Sequence, residues 1–427
     1  MGKAPRAHID GPAIIGVVGA GTMGAGIAQV ALEAGQRVLI HDPDPAAVAR
    51  ARERIADGIA RRARRRSPTN DVVVERTVAE AVGRLEASAA LEHLAGAADV
   101  VIEAVLEDLA LKRSIFTVLD AAARPGSILA TNTSALSVAA IAGATLHPAR
   151  VIGLHFFNPA PVMALVEVVA PSSADPGVVR AATELVEAWG KTTVRTADSP
   201  GFIVNRVNRP FTLEALALLE AGIGSVESID AAVRAAGYPM GPFELMDLIG
   251  IDVNLAAARG IYQAFRYEPR FRPSPIQERL VEAGRLGRKS REGFYWYGED
   301  GRSLGQAGAF AAEPAGDGLA SGVLALPVGG ADHDPVGSNP VLSDPIAERI
   351  VLAIVNEAHR ALGDGVASAA DIDLALRLGA GHPDGPFERT AALGGPAAVV
   401  ARLERWRSAG ARFVPAPSLI EAARVVE

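Results

Sequence analysis

The chain has 427 residues, 49% of them hydrophobic and 21% charged, with a formal net charge of −7. That length and apolar content supply core for two or three globular domains, and the acidic balance argues against nucleic acid or an anionic membrane as partner. With no cysteine, a disulfide framework, thiolate chemistry and Cys-bound zinc are excluded, and no metal is expected. Residues 1–13 lack the apolar centre of a signal peptide and no run of 18 apolar residues follows, so the expectation is a soluble cytoplasmic protein.

Ile14–Val18 reads as a β-branched strand ending at Gly19-Ala20-Gly21-Thr22-Met23-Gly24. AGIAQVALEAG follows with helical spacing to a stop at Gly35, and Arg37–Ile40 reads as a second strand leading into His41-Asp42. A GxGxxG between strand and helix is the fingerprint of a dinucleotide site. The first glycine makes the tight turn, the second lets a pyrophosphate approach the backbone, and the third packs helix on strand. The helix N-terminus then offers free N–H groups to the phosphates. Asp42 follows Gly19 by 23 positions (42 less 19), near the roughly 20 expected for an acid holding the adenosine ribose hydroxyls. Asp42, with Asp44 beyond it, would repel a 2′-phosphate, so NAD is favoured over NADP, with FAD a lesser alternative.

Pro45–Arg66 reads as a helix ending in Arg61-Arg62-Ala63-Arg64-Arg65-Arg66, either a solvated end complementing the helix dipole or a phosphate site. Asp71–Leu85 reads as a surface helix. Strands are expected at Asp99–Ala104 and Ser127–Thr131, separated by the helix Leu109–Ala122. Thr131-Asn132-Thr133-Ser134 follows a strand's C-terminal end, where open α/β sheets bind ligands. Alone, such a segment is more often a turn and helix cap.

The stretch Val151–Val169, VIGLHFFNPAPVMALVEVV, holds two buried strands, Val151–Leu154 and Leu165–Val169, around a turn marked by Pro159 and Pro161. His155 closes the first strand and Glu167 lies inside the second. A carboxylate in an apolar strand is costly to bury unless paired. An imidazole across the hairpin is a fitting partner, in the manner of a catalytic His–acid pair. The other reading is a histidine capping a strand and a glutamate facing water on an edge.

A further helix at Gly177–Trp189 and strand at Thr192–Thr196 lead to Asp198-Ser199-Pro200, a domain boundary. The pattern is then helical around Val204–Ala221, Val226–Ala235 and Phe243–Ala264. Asn205, in the first turn of this part, is placed to face back across a cleft. Residues 298–343 read as a Gly-, Ala- and Pro-rich linker with one strand at Val323–Val328. Beyond it, Asp371-Ile372-Asp373…Gly381-His-Pro-Asp-Gly-Pro-Phe-Glu388 repeats Ser228-Ile229-Asp230…Gly237-Tyr-Pro-Met-Gly-Pro-Phe-Glu244 at an offset of 144 (388 less 244). Arg206 matches Arg349 at 143, which puts Glu348 where Asn205 stood, so the second copy is read as structural. The fold expected is an α/β Rossmann domain, a doubly wound and mostly parallel sheet, followed by two homologous all-α domains. Their bounds are 1–199, 200–297 and, after the linker 298–343, 344–427.

GAGTMGAGIAQV, ATNTSALS, GLHFFNPAPVMALVEVV, SPGFIVNRV and GYPMGPFELMDLIGID stand in this order, and with them the chain resembles the L-3-hydroxyacyl-CoA dehydrogenases over about Ile14–Tyr297. The second helical copy resembles bacterial members with two such domains, among them 3-hydroxybutyryl-CoA and 3-hydroxyadipyl-CoA dehydrogenases. The resemblance implies NAD-dependent oxidation of L-3-hydroxyacyl-CoA to 3-ketoacyl-CoA, with His155 as base, Glu167 as its partner, and Ser134 and Asn205 holding the substrate. It implies cofactor contacts from Asp42, Glu107, Lys112, Asn158 and Lys289 as well as the glycine-rich loop, and places the family's CoA-binding lysine at Arg65. A dehydrogenase of free 3-hydroxy acids and a catalytically silent NAD-binding subunit are the alternatives. Helical domains commonly pair in this family; here the second copy is expected to take the partner's place, giving a pseudo-twofold monomer rather than a homodimer.

Overall fold

The computed structural model describes residues 13–307, 342 and 344–425, and the chain divides into two units between Phe202 and Ile203. The expected strand at Val323–Val328 lies outside the described residues.

In the first unit, short apolar runs assemble one sheet: β1 (Ile14–Val18), β2 (Arg37–His41), β3 (Leu85–Ala87), β4 (Val100–Glu103), β5 (Ile128–Thr131), β6 (Val151–Phe156), β7 (Leu165–Ala170) and β8 (Thr192–Ala197). Their order is β3-β2-β1-β4-β5-β6-β7-β8, parallel throughout except for the antiparallel pair β6/β7. The central strands are buried on both faces, as runs such as VVIE and ILAT require. Alternate residues feed two cores: Ile15, Val17, Val100 and Ile102 face the helices Thr22–Glu33 and Pro176–Ala188. Val18, Val101 and Leu129 face Leu91–Ala97, Leu109–Ala122 and Val138–Ala142. Strand order reverses between β1 and β4, which opens the ligand crevice of a doubly wound sheet at their C-terminal ends.

Two local expectations are corrected here. The helix expected over Asp71–Leu85 stops at Val82, with Gly83 as its cap, and Leu85 begins the edge strand β3. Three residues carry too little alternation to announce a strand. Glu167 does not face water on an edge: β8 pairs outside β7, and Glu167 is fully buried.

The second unit contains both helical copies. Two expected helices are each divided. Val204–Val207 and Arg209–Glu220 meet at Asn208, because Pro210 lacks an N–H and its ring collides with the carbonyl four residues back. Pro242–Ile249 and Ile251–Ala264 meet at Gly250, whose φ of +105° breaks the helical path. The segment after Gly298 is not all linker, since Ser303–Gln306 pairs with Tyr295–Tyr297 in a hairpin.

The repeated motif has a structural cause. Asp230 accepts from the N–H groups of Phe243 and Glu244 at 2.9 and 3.1 Å, capping Pro242–Ile249. Asp373 does the same for Phe387 and Glu388 at 2.8 and 3.2 Å. Glu244 and Glu388 bond back to Gly241 and Gly385, completing each cap.

The two copies meet through crossed pairs. Arg206 Nε donates to Glu357 at 2.8 Å, while Arg349, its counterpart, donates to Glu214, the counterpart of Glu357. Arg270 Nε joins Glu357 at 2.9 Å, and Arg412, its own equivalent, joins Glu214 at 2.8 Å. Contacts i to j′ and i′ to j are the signature of an isologous, twofold interface. Tyr238 and His382, one position in the two repeats, meet edge to face with ring centroids 5.0 Å apart, which marks the pseudo-twofold axis. Glu214 and Glu357 are 0% and 2% exposed. Glu214 is shared by the fully buried Arg349 and the partly buried Arg412, so Glu214→Ala is expected to cost about 3–5 kcal/mol in urea unfolding. Glu357→Ala is expected to cost less, because Arg206 and Arg270 keep Asp364 and Glu268; a loss below about 1 kcal/mol at Glu214 would be that of a surface pair.

Candidate active site

The glycine-rich loop is built by packing and leaves one place open. Gly19 has φ +99°, and a Cβ there would stand 2.6 Å from the carbonyl oxygen of Ala104. A Cβ on Gly24 would stand 1.8 Å from the carbonyl oxygen of Gly19. A Cβ on Gly21 would meet nothing within 4 Å, so the second glycine borders open space at the start of the helix Thr22–Glu33. That helix has no side-chain cap at Gly21, which leaves its first N–H groups for an anion. Ala20 is buried, Met23 packs against the core and Thr22 is exposed. The register Val18↔His41 brings Asp42 beside the loop, where Oδ2 accepts from Ala20 N at 2.8 Å and Oδ1 from Asp44 N at 3.0 Å. An uncapped helix start, open space over the second glycine and a carboxylate at the end of β2 together fit a nicotinamide dinucleotide.

Next to this loop, a charge network that is buried at Glu103 and Lys112 and reaches the surface at Glu107 orders the segment after β5. Glu103, at the end of β4, is fully buried; it accepts from Lys112 Nζ and Thr131 Oγ1, each at 2.7 Å. Lys112 reaches Glu107 at 3.3 Å as well. Glu107 Oε1 accepts from Thr133 Oγ1 at 2.6 Å, Ser134 N at 2.9 Å and Ala135 N at 3.1 Å. Burial disfavours ionisation of Glu107, but the Lys112 charge and these donors outweigh it and hold its carboxyl below the usual carboxylate range. Lys112 is 1% exposed, with its ammonium between the carboxylates of Glu103 and Glu107. Glu107 and Ser134 lie together. Asn132 Oδ1 accepts from Phe156 N at 2.8 Å and ties this segment to β6.

On β6 and β7, His155 stands opposite Glu167 in the antiparallel register. His155 Nδ1 lies 2.6 Å from Glu167 Oε2. An ionised carboxylate only accepts, so Nδ1 carries the hydrogen and Nε2 is left for other partners. The rings of Phe157 and Phe202 stand 4.5 and 5.8 Å from the imidazole, leaving His155 6% exposed.

Asn158 is exposed on the loop after β6. That loop is clamped from behind: Lys191 Nζ donates to the carbonyls of Ala160 and Met163 at 2.6 and 2.7 Å, and Arg62 donates to that of Pro161. Burial, with Arg62 nearby, lowers Lys191 to about 8. Arg65 is exposed on the last turn of Pro45–Arg66. In the second unit, Asn205 is half-buried on Val204–Val207, and Lys289 pairs with Asp252 at 2.5 Å. Glu348, in Asn205's position in the second copy, accepts from Arg402, Arg405 and Trp406 Nε1 at 2.8, 3.1 and 3.0 Å. That position is filled by structural bonds. Glu103 and Lys191 were not singled out from the sequence, and Asn132 and Thr133 only as part of the segment Thr131–Ser134. Among the described residues no cluster of three or more His, Asp or Glu is arranged to hold a metal ion.

The family model described as 3-hydroxyacyl-CoA dehydrogenase, NAD binding domain, matches residues 14–199. The one described as 3-hydroxyacyl-CoA dehydrogenase, C-terminal domain, matches twice, at 201–297 and 346–417. The chain is 39% identical over 436 residues to 3-hydroxyadipyl-CoA dehydrogenase of Escherichia coli (strain K12), covering 89% of this chain and 90% of that one. It is 41% identical over 286 residues to 3-hydroxybutyryl-CoA dehydrogenase of Mycobacterium tuberculosis (strain H37Rv), covering 66% and 98%. The crystal structure of 3-hydroxybutyryl-CoA dehydrogenase from Escherichia coli K12 superposes with a TM-score of 0.80 at 34% identity, covering 97% of this chain and 99% of that one.

Glu107 is the common acceptor for the segment after β5. Glu107→Ala is expected to raise amide hydrogen exchange at Ser134 and Ala135 at least about tenfold, the worth of roughly 1.4 kcal/mol. Unchanged protection there would mean that the segment is ordered without it.

Proposed function

This chain belongs to the 3-hydroxyacyl-CoA dehydrogenase family and is an NAD-dependent oxidoreductase interconverting L-3-hydroxyacyl-CoA and 3-ketoacyl-CoA, and on that premise we propose that His155 carries the proton. NAD, when bound, supplies the hydride acceptor. The alcohol oxygen gives its proton to His155 Nε2 while the carbinol C–H bond breaks with its electron pair, leaving a carbonyl. In the reducing direction the imidazolium returns that proton. Glu167 holds the ring in the Nδ1–H tautomer and answers the positive charge that forms on it. The observation that carries this reading is the 2.6 Å bond between His155 and a fully buried carboxylate.

Ser134 donates its hydroxyl to the substrate oxygen, on a segment whose backbone is fixed by Glu107. Glu107 and Lys112 are cofactor residues as well, and Lys112 also helps to hold Glu107 in place. Asn205 is a second donor, Asp42 and the glycine-rich loop hold the adenosine half of the cofactor, Asn158 and Lys289 are further cofactor residues, and Arg65 serves a CoA phosphate. The substrate is a short-chain thioester, in keeping with the names of the relatives. The crossed Arg–Glu pairs between the two helical copies support a pseudo-twofold monomer.

His155→Gln is expected to bind NADH as the unaltered protein does while acetoacetyl-CoA reduction falls about 10²–10⁴-fold, the range of general acid–base catalysis. A variant keeping more than about a tenth of the rate would overturn the assignment. Ser134→Ala and Asn205→Ala should each lower kcat by about 10²-fold, as lost oxyanion donors do. Sedimentation equilibrium should return the mass of one chain; twice that mass contradicts the monomer.

A further inference from the structure

Ala20, between the first two glycines, is clasped on both sides of its backbone. Its N–H donates to Asp42 Oδ2 at 2.8 Å, and its carbonyl accepts from Arg54 Nη2 at 2.7 Å. Ala20 is fully buried, Asp42 half-buried and Arg54 exposed. Arg54 reaches the loop from the helix Pro45–Arg66, so a guanidinium and the ribose acid bracket a single residue of the nucleotide loop.

The local charges balance two against two. Asp44 caps that helix through Ala46 N at 2.9 Å and pairs with Arg50 at 3.0 Å, so its charge is already answered. Asp42 instead directs its oxygens at the backbone N–H groups of Ala20 and Asp44. Arg54 is bound to a neutral carbonyl and keeps its full charge. At this place in a Rossmann fold an acid refuses a ribose 2′-phosphate and an arginine receives it, because the guanidinium fork matches phosphate geometry. This chain carries both groups.

We propose that Asp42 and Arg54 are the specificity-determining pair for NAD against NADP, with Arg54 a phosphate receptor that the Asp42 carboxylate overrides. Discrimination against NADP then rests on one carboxylate, not on the lack of a cation. The inference depends on the glycine-rich loop holding the cofactor, which NADH binding to the unaltered protein checks in the same experiment.

The test is a fluorescence titration of the full chain with NADH and NADPH, for the unaltered protein, Asp42→Ser, Arg54→Ala and the double variants Asp42→Ser/Arg54→Ala and Asp42→Ser/Arg54→Lys. Asp42→Ser should bind NADPH at least about tenfold more tightly than the unaltered protein does. Adding Arg54→Ala should remove about 10- to 100-fold of NADPH affinity, the worth of a hydrogen bond to a charged group, and remove less from NADH. Arg54→Lys in the Asp42→Ser background should keep part of the gain through its charge. The proposal is overturned if Asp42→Ser leaves NADPH binding unmoved. It is equally overturned if Arg54→Ala weakens both cofactors by the same factor, since Arg54 would then only hold the loop.

Discussion

A carboxylate with no exposed surface in the middle of an apolar strand has to be bonded, and Glu167 meets that demand through the imidazole across the β6/β7 pair. The single antiparallel step in an otherwise parallel sheet makes this possible. It puts positions 155 and 167 directly opposite one another, close enough for one side chain to reach the other. β8 then covers the outer side of β7 and shuts water away from the carboxylate. The burial that makes Glu167 costly alone also makes it effective in fixing the ring of His155.

The same logic operates on β4, two strands from β6. Glu103 is fully buried at the end of β4, and its cost is met by Lys112 and Thr131. Lys112 then helps keep Glu107 ionised, and Glu107 orders the segment carrying Ser134. A row of bonded polar groups, buried at Glu103 and Lys112 and exposed at Glu107, thus links the switch point of the sheet to the strand that bears His155, with Asn132 as the last tie. Fully bonded networks of this kind make a site rigid.

The glycine-rich loop was legible in the sequence because each requirement is local: Gly19 and Gly24 are forced by atoms a few ångströms away, and Asp42 follows from a strand length. The His155–Glu167 pair was legible only as one of two alternatives. What decides between them is the pairing of β8, set by residues 25 positions beyond Glu167. The place of Lys112 between two carboxylates was not legible, because nothing in EAVLEDLALK tells that Glu103 turns inward to meet it. The helical repeat was visible, but its meaning was not. Asp230 and Asp373 keep the motif as helix caps, and Arg206 and Arg349 keep theirs as two halves of one interface. Reciprocity between copies appears only once they are packed. Where the copies differ, at Asn205 and Glu348, the second has turned its site position into a structural bond.

The central claim is that His155 works as the Nδ1–H tautomer, with Nε2 as the proton-carrying nitrogen. Nitrogen-15 NMR of the histidine-labelled protein reads this directly, at a pH where the imidazole is neutral. The account predicts a protonated Nδ1 and a bare Nε2 at His155, and predicts that Glu167→Gln disturbs that assignment. A resonance pattern with the hydrogen on Nε2 would contradict it.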